Sequence, residues 1–142
     1  MKTITVLLAT LLLSCTPESI EYTSTNSEVW EQYEKSTLEH LNSLRDEALK
    51  QDDLLYKYAK ERAKTGIGHE GFTEVSNILI EKGFEYVAEN KGYGYPDPKT
   101  LILAWSSSDI HNQIMMNPVY KYAGVGIFED DGKIYVCMLL GK

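Results

Sequence analysis

The chain has 142 residues, with 21 Asp and Glu against 14 Lys and Arg, and a formal charge of −7. That length suits one domain around a single core, and an acidic balance without a Lys/Arg cluster argues against nucleic acid and anionic lipid surfaces as partners. Cys15 and Cys137 are the only thiols, so if the first is modified no intrachain disulfide is available and stability must come from packing.

Residues 1–14 have the parts of a signal peptide. Lys2 supplies the positive charge, and Ile4 to Leu13 form an apolar stretch too short to span a bilayer as a mature helix. Leu12-Leu13-Ser14-Cys15 resembles the lipobox of bacterial lipoproteins, in which the cysteine thiol carries a diacylglycerol. At about 0.8 kcal/mol per buried CH₂, two or three acyl chains would hold the mature protein on a membrane. Residues 15–26 then read as the lipidated cysteine and a flexible polar tether, and residues 27–142 as the folded domain. The implied place is the cell envelope, with a membrane as partner through Cys15. Thr16 is compatible with the outer membrane where the cell has two.

Ser27 opens a helical pattern in which Val29, Trp30, Tyr33, Leu38, Leu41, Leu44 and Leu49 recur at mostly helical spacing. Asp52 or Asp53 caps a second helix, with Leu54, Leu55, Tyr58, Ala59 and Ala63 on its apolar face and Gly66 and Gly68 as its stop. Residues 73–82 form a shorter helix closed by Gly83. Residues 84–89 read as a brief extended stretch, and 90–96 as a Tyr/Gly-rich loop. Asp97-Pro98 starts a helix carrying Leu101, Ile102, Ala104 and Trp105. The Ser106–Asp109 cluster should break it and start the next, with Ser108 as cap. Two strands, 122–129 and 133–140, close the chain as a hairpin through Asp130-Asp131-Gly132. Helices first and a sheet late imply an α+β arrangement.

Three histidines are available for chemistry. His40 lies mid-helix among polar neighbours and reads as a solvated position. His69 sits in a glycine-rich loop, Gly66 to Gly71. His111 stands in the first turn after Ser108, where the positive helix end favours neutral imidazole, the form that ligates a metal or accepts a proton. Cys137 lies in an apolar strand and reads as a buried small hydrophobe. Tyr93-Gly94-Tyr95-Pro96 reads either as an amphipathic rim for a ligand or as a turn packed on the domain.

The order of several motifs resembles the bacterial branch of the CAP superfamily, also called the SCP domain family, over about residues 38 to 140. These motifs are Asn42-x-x-Arg45, Tyr58 to Ala63, His69, Ala88-Glu89-Asn90, Trp105-x-x-Ser108-x-x-His111, Asn117-Pro118 and Gly124-Val125-Gly126. The resemblance implies an α-β-α sandwich, a small antiparallel sheet with helices on both faces, and a polar cleft. It matches His69, Glu89 and His111 to two histidines and one glutamate of that cleft, and places Ser108 where animal members carry a second glutamate. The chain departs from the family at Ala88, usually Gly, and in lacking a Pro-Leu element before the second helix.

Two functions follow from such a cleft. One is a binding or interaction module for a lipid, glycan or protein ligand. The other is a divalent-metal hydrolase, with His69, Glu89 and His111 holding zinc or a similar cation and one position open to water. A serine nucleophile at Ser108 is disfavoured if its oxygen is committed to capping the helix.

Overall fold

The computed structural model describes residues 26–142. The expected signal peptide, Cys15 and the tether up to residue 25 lie outside the described residues. Among the described residues no helix is long and apolar enough to cross a membrane. The elements run α1 (Asn26–Asn42), β1 (Lys50–Gln51), α2 (Asp53–Ala63), α3 (Phe72–Glu81), β2 (Val87–Tyr93), α4 (Pro98–Ser106), α5 (Asp109–Met116), β3 (Tyr122–Asp130) and β4 (Lys133–Gly141).

The local signals behave as their chemistry requires. Asp52 caps α2, its carboxylate accepting from the backbone N–H of Leu54 and Leu55 at 2.9 and 3.0 Å. Asp97 caps α4 by accepting from Thr100 N–H at 2.9 Å, with Pro98 in the first turn. The β3–β4 hairpin turns through Asp131 and Gly132, with φ of 49° and 72°, the left-handed pair that a two-residue hairpin loop demands.

Two expected elements differ. The first helix stops at Asn42 instead of running on through Leu44 and Leu49. The Asn42 amide explains the stop: it accepts from Leu49 N–H at 2.8 Å and donates to Leu49 C=O at 3.0 Å, folding the chain back toward β1. Leu49 is buried from this second segment, while Leu44 is left exposed. Arg45 stitches the same bend to the far end of the domain, donating to the carbonyls of Met115, Asn117 and Tyr120.

The second difference is β2. The stretch expected to be a loop from Asn90 onward continues as strand to Tyr93, paired antiparallel with β4 along its whole length. Glu89, Asn90 and Lys91, three consecutive polar residues, are all buried within it. Their polarity hides a strand whose side chains find partners inside the protein.

The sheet has four strands in the order β1-β3-β4-β2. All pairings are antiparallel except the short β1, which runs parallel to β3. Val125, Ile127, Val136, Met138 and Leu140 pack against α1, α4 and α5, while Cys137 and Leu139 pack against α2 and α3. This is the expected α-β-α sandwich, with both faces of β4 buried and its sequence accordingly a continuous apolar run.

Gly124 and Gly126 let α2 lie directly on β3. A Cβ on Gly124 would sit 2.1 Å from the backbone N of Tyr56, and one on Gly126 would sit 2.2 Å from that of Lys60. Gly124→Ala and Gly126→Ala are therefore expected to destabilise the domain by about 1–3 kcal/mol each or more, because helix backbone, and not a mobile side chain, must yield. Urea unfolding of each variant checks this.

Candidate functional site

β2 is an edge strand, and the candidate residues gather along its free side. Lys142 N–H donates to Tyr86 C=O and Gly94 N–H to Ile134 C=O, so even-numbered positions bond to β4. Odd-numbered positions turn their backbone groups to the open edge, where the Trp105 indole N–H donates to Lys91 C=O at 2.9 Å. Side chains alternate with the same period: Glu89 and Lys91 reach the α2–α3 side, and Asn90 the α4–α5 side.

Glu89 is the hub. Its carboxylate is almost fully buried, and Arg62 at the end of α2 grips it bidentately, Nε to Oε2 at 2.6 Å and Nη2 to Oε1 at 2.9 Å. His69 Nδ1 bonds Oε1 at 2.8 Å, and the Cys137 thiol lies 3.5 Å from Oε2. Burial alone would raise the Glu89 carboxyl. The Arg62 and His69 hydrogen bonds outweigh it, helped by the nearby charges of Arg62 and Lys91, and hold the group below its usual 4.5. Burial and the adjacent carboxylate push the Cys137 thiol far up, so it stays protonated and donates. Cys137 is thus buried as expected, with a polar contact that its apolar neighbours did not announce.

Ser108 and His111 occupy the opposite wall. Ser108 is the N-cap residue of α5, as expected, yet its hydroxyl does not cap the helix. It bonds His111 Nδ1 at 2.8 Å instead, so the expected commitment of that oxygen to backbone N–H groups is corrected. Asn90 Nδ2 donates to His111 C=O at 3.0 Å and ties α5 to β2. His111 has its pKa held below the usual 6.5, by burial first and by the neighbouring His69 second. Each imidazole is fixed through Nδ1, His69 by Glu89 and His111 by Ser108, and Nε2 of each has no hydrogen-bond partner among the described residues.

Two cavities flank His111, which lines both. One of about 420 Å³ lies between His69, Phe72, Ile110, Ile114 and Tyr120, with Glu89 at its floor. The other, about 300 Å³, lies between Ile67, Tyr93, Tyr95, Trp105 and Ser108. The Lys91 ammonium holds the loop between them, donating to Thr65 Oγ1, Gly66 C=O and Gly68 C=O at 2.9, 2.7 and 2.9 Å. His40 is exposed on α1, away from this cleft, as expected.

The expected three-ligand metal set does not form. Among the described residues no group of three His, Cys, Asp or Glu side chains is arranged to hold a metal ion. Arg62 spans both Glu89 oxygens, and one of them also orients His69. A pair of imidazoles remains, short of the three or four protein ligands that zinc sites use.

Sequence reasoning assigned no role to Arg62 or Lys91. Arg62 shares the buried face of α2 with Leu55, Ala59 and Ala63, and a cation on an apolar helical face is the signal that marks it. Lys91 stands two residues from Glu89 in one strand, on the same face, and only the strand assignment reveals that.

A sequence profile of the cysteine-rich secretory protein family, CAP, matches residues 38–139. An uncharacterized protein of Bacillus subtilis (strain 168), YkwD, is 28% identical over 123 residues, covering 78% of this chain and 48% of its own length. The chain thus spans about half of that curated relative. An extracellular protein of Bacillus anthracis containing an SCP domain superposes with a TM-score of 0.69 at 19% identity, over 82% of this chain and 42% of the other. An outer surface protein of Borrelia burgdorferi superposes with a TM-score of 0.66 at 24% identity, over 82% and 94%.

Removing one partner of the buried pair leaves the other charge unpaired. Glu89→Gln is therefore expected to cost about 3–5 kcal/mol, with an Arg62→Met/Glu89→Leu double variant recovering much of it. Because the folded carboxyl is held below 4.5, its contribution is complete above that value and is lost as pH falls through the folded pKa. Urea unfolding at several pH values should show this acid-side loss in the native protein and a flatter limb in Glu89→Gln.

Proposed function

The chain belongs to the cysteine-rich secretory protein (CAP) family, and from that premise we propose that it is an extracytoplasmic, lipid-anchored binding module whose ligand enters the cleft at the free edge of β2. The observation that carries this reading is the commitment of Glu89. A carboxylate gripped by a buried guanidinium, a thiol and an imidazole is neither a metal ligand nor a base for water. The residues around it present surfaces instead: two imidazoles held at fixed orientation beside two cavities. A lipid, glycan or protein ligand fits that description better than a hydrolytic reaction does.

The extracytoplasmic placement is supported by the extracellular and outer-surface descriptions of the Bacillus anthracis and Borrelia burgdorferi proteins. The anchor is supported by Leu12-Leu13-Ser14-Cys15. Its sorting to an outer membrane follows only in a cell with two membranes.

Calorimetric titration of the purified protein with zinc tests the choice between module and metal hydrolase. Two imidazoles alone should bind with a dissociation constant above roughly 10 µM. Micromolar or tighter binding, lost in both His69→Ala and His111→Ala, would restore the hydrolase. The anchor has its own test: Cys15→Ser should abolish palmitate incorporation and release the protein from membranes, and persistent labelling would refute it.

A further inference from the structure

The smaller cavity at the β2 edge is walled by rings whose planes are set by the fold. Tyr93, at the end of β2, stands in register with Tyr135 on β4, and Tyr135 with Phe128 on β3. The three rings form a ladder across three strands, with centroids 5.0 Å apart from Tyr93 to Tyr135 and 6.4 Å from Tyr135 to Phe128. Such cross-strand contacts fix the Tyr93 ring, which nonetheless keeps 43% of its surface exposed. Tyr95 is held from two sides. Its carbonyl accepts from the Tyr33 hydroxyl at 3.0 Å, and its ring lies against Gly92, where a Cβ would come 3.4 Å from that ring and 2.4 Å from Leu101.

Apart from Lys91, the polar side chains lining this cavity are a hydroxyl, an imidazole, the phenols and the Trp105 indole. Ser108 and His111 contribute a hydroxyl and an imidazole joined to each other, with the imidazole Nε2 left without a partner among the described residues. Lys91 is the one Lys, Arg, Asp or Glu in the lining, and all three of its N–H donors are engaged by the 65–68 loop. An anionic ligand would find no free cationic N–H donor there. An acyl chain would cover the hydroxyl and imidazole without satisfying them.

Preset aromatic faces, a hydroxyl–imidazole pair and a lysine whose donors are all engaged suit a ring with apolar C–H faces and hydroxyl edges. We propose that this cavity binds one neutral sugar ring of a glycan, stacked on Tyr93 and hydrogen-bonded by Ser108 and His111. The assignment rests on the binding-module reading and names the ligand class for it. A peptide tyrosine or a lipid would use the same walls without needing the hydroxyl–imidazole pair.

Saturation-transfer NMR and calorimetry of the purified protein, with chitotriose, cellotriose and maltotriose as probes, test it. At least one sugar is expected to bind with a dissociation constant of about 1 mM or below. Tyr93→Ala and Tyr93→Leu should each weaken it about three- to tenfold, and Tyr93→Phe by no more than about twofold, because stacking needs the ring and not its hydroxyl. Tyr93→Leu keeps an apolar contact with Tyr135 should the alanine variant lose structure, and Leu103→Ala on exposed α4 surface should change nothing. Binding that ignores both Tyr93→Ala and Tyr93→Leu overturns the site. No binding of any sugar, with zinc also silent, overturns the glycan assignment alone. No sugar binding together with tight zinc binding that is lost in the histidine variants overturns this assignment and the binding-module reading together.

Discussion

A guanidinium and a carboxylate removed from water together hold one helical layer of this molecule in register with its sheet. Arg62 and Glu89 belong to α2 and β2, which are neither consecutive in the chain nor neighbours in the sheet, and both side chains are almost wholly buried. Two parallel hydrogen bonds fix their separation and their plane. Arg62 Nη1 reaches the carbonyl of Glu70, so the loop carrying His69 is registered to the same pair. Desolvation makes such a pair costly unless every lone pair and proton has a partner. Here His69 and Cys137 complete the set.

The cleft inherits its geometry from that arrangement. Lys91, two residues along β2, closes the near side of the loop, and Trp105 pins α4 to the same residue's carbonyl. Asn90, facing the other way, holds α5 through His111 C=O. Three consecutive residues of one edge strand thus position all three segments that form the walls. Polar side chains are uncommon inside a sheet, and this stretch carries them because its contacts are directional: an apolar side chain could fill the space but could not set the orientation of a loop.

The packing of α2 on the sheet depends on an absence of side chains. Gly124 and Gly126 allow α2 to approach β3 at backbone distance, bringing Arg62 within reach of β2 two strands away. Glu34 from α1 accepts from Ile127 N–H at 3.0 Å and covers the outer edge of β3 beyond the short β1. Each sheet edge is therefore managed by side chains, β3 by a buried glutamate and β2 by the cleft itself.

The sequence by itself determined the elements whose signals are local. Caps at Asp52 and Asp97, the start of α5 after Ser108, the Asp-Gly hairpin and the apolar β4 follow from steric and hydrogen-bonding preferences within a few residues, and the ordered motifs brought His69, Glu89, Ser108 and His111 to one cleft by resemblance. Only the tertiary structure decided what those residues do there. Glu89 serves as an anchor because Arg62, 27 positions away, spans its oxygens, and the Ser108 hydroxyl bonds the His111 ring in place of the helix backbone. The end of α1 at Asn42 and the length of β2 were likewise set by contacts that local periodicity does not encode: an amide matched to Leu49, and buried polar groups matched to partners in distant segments.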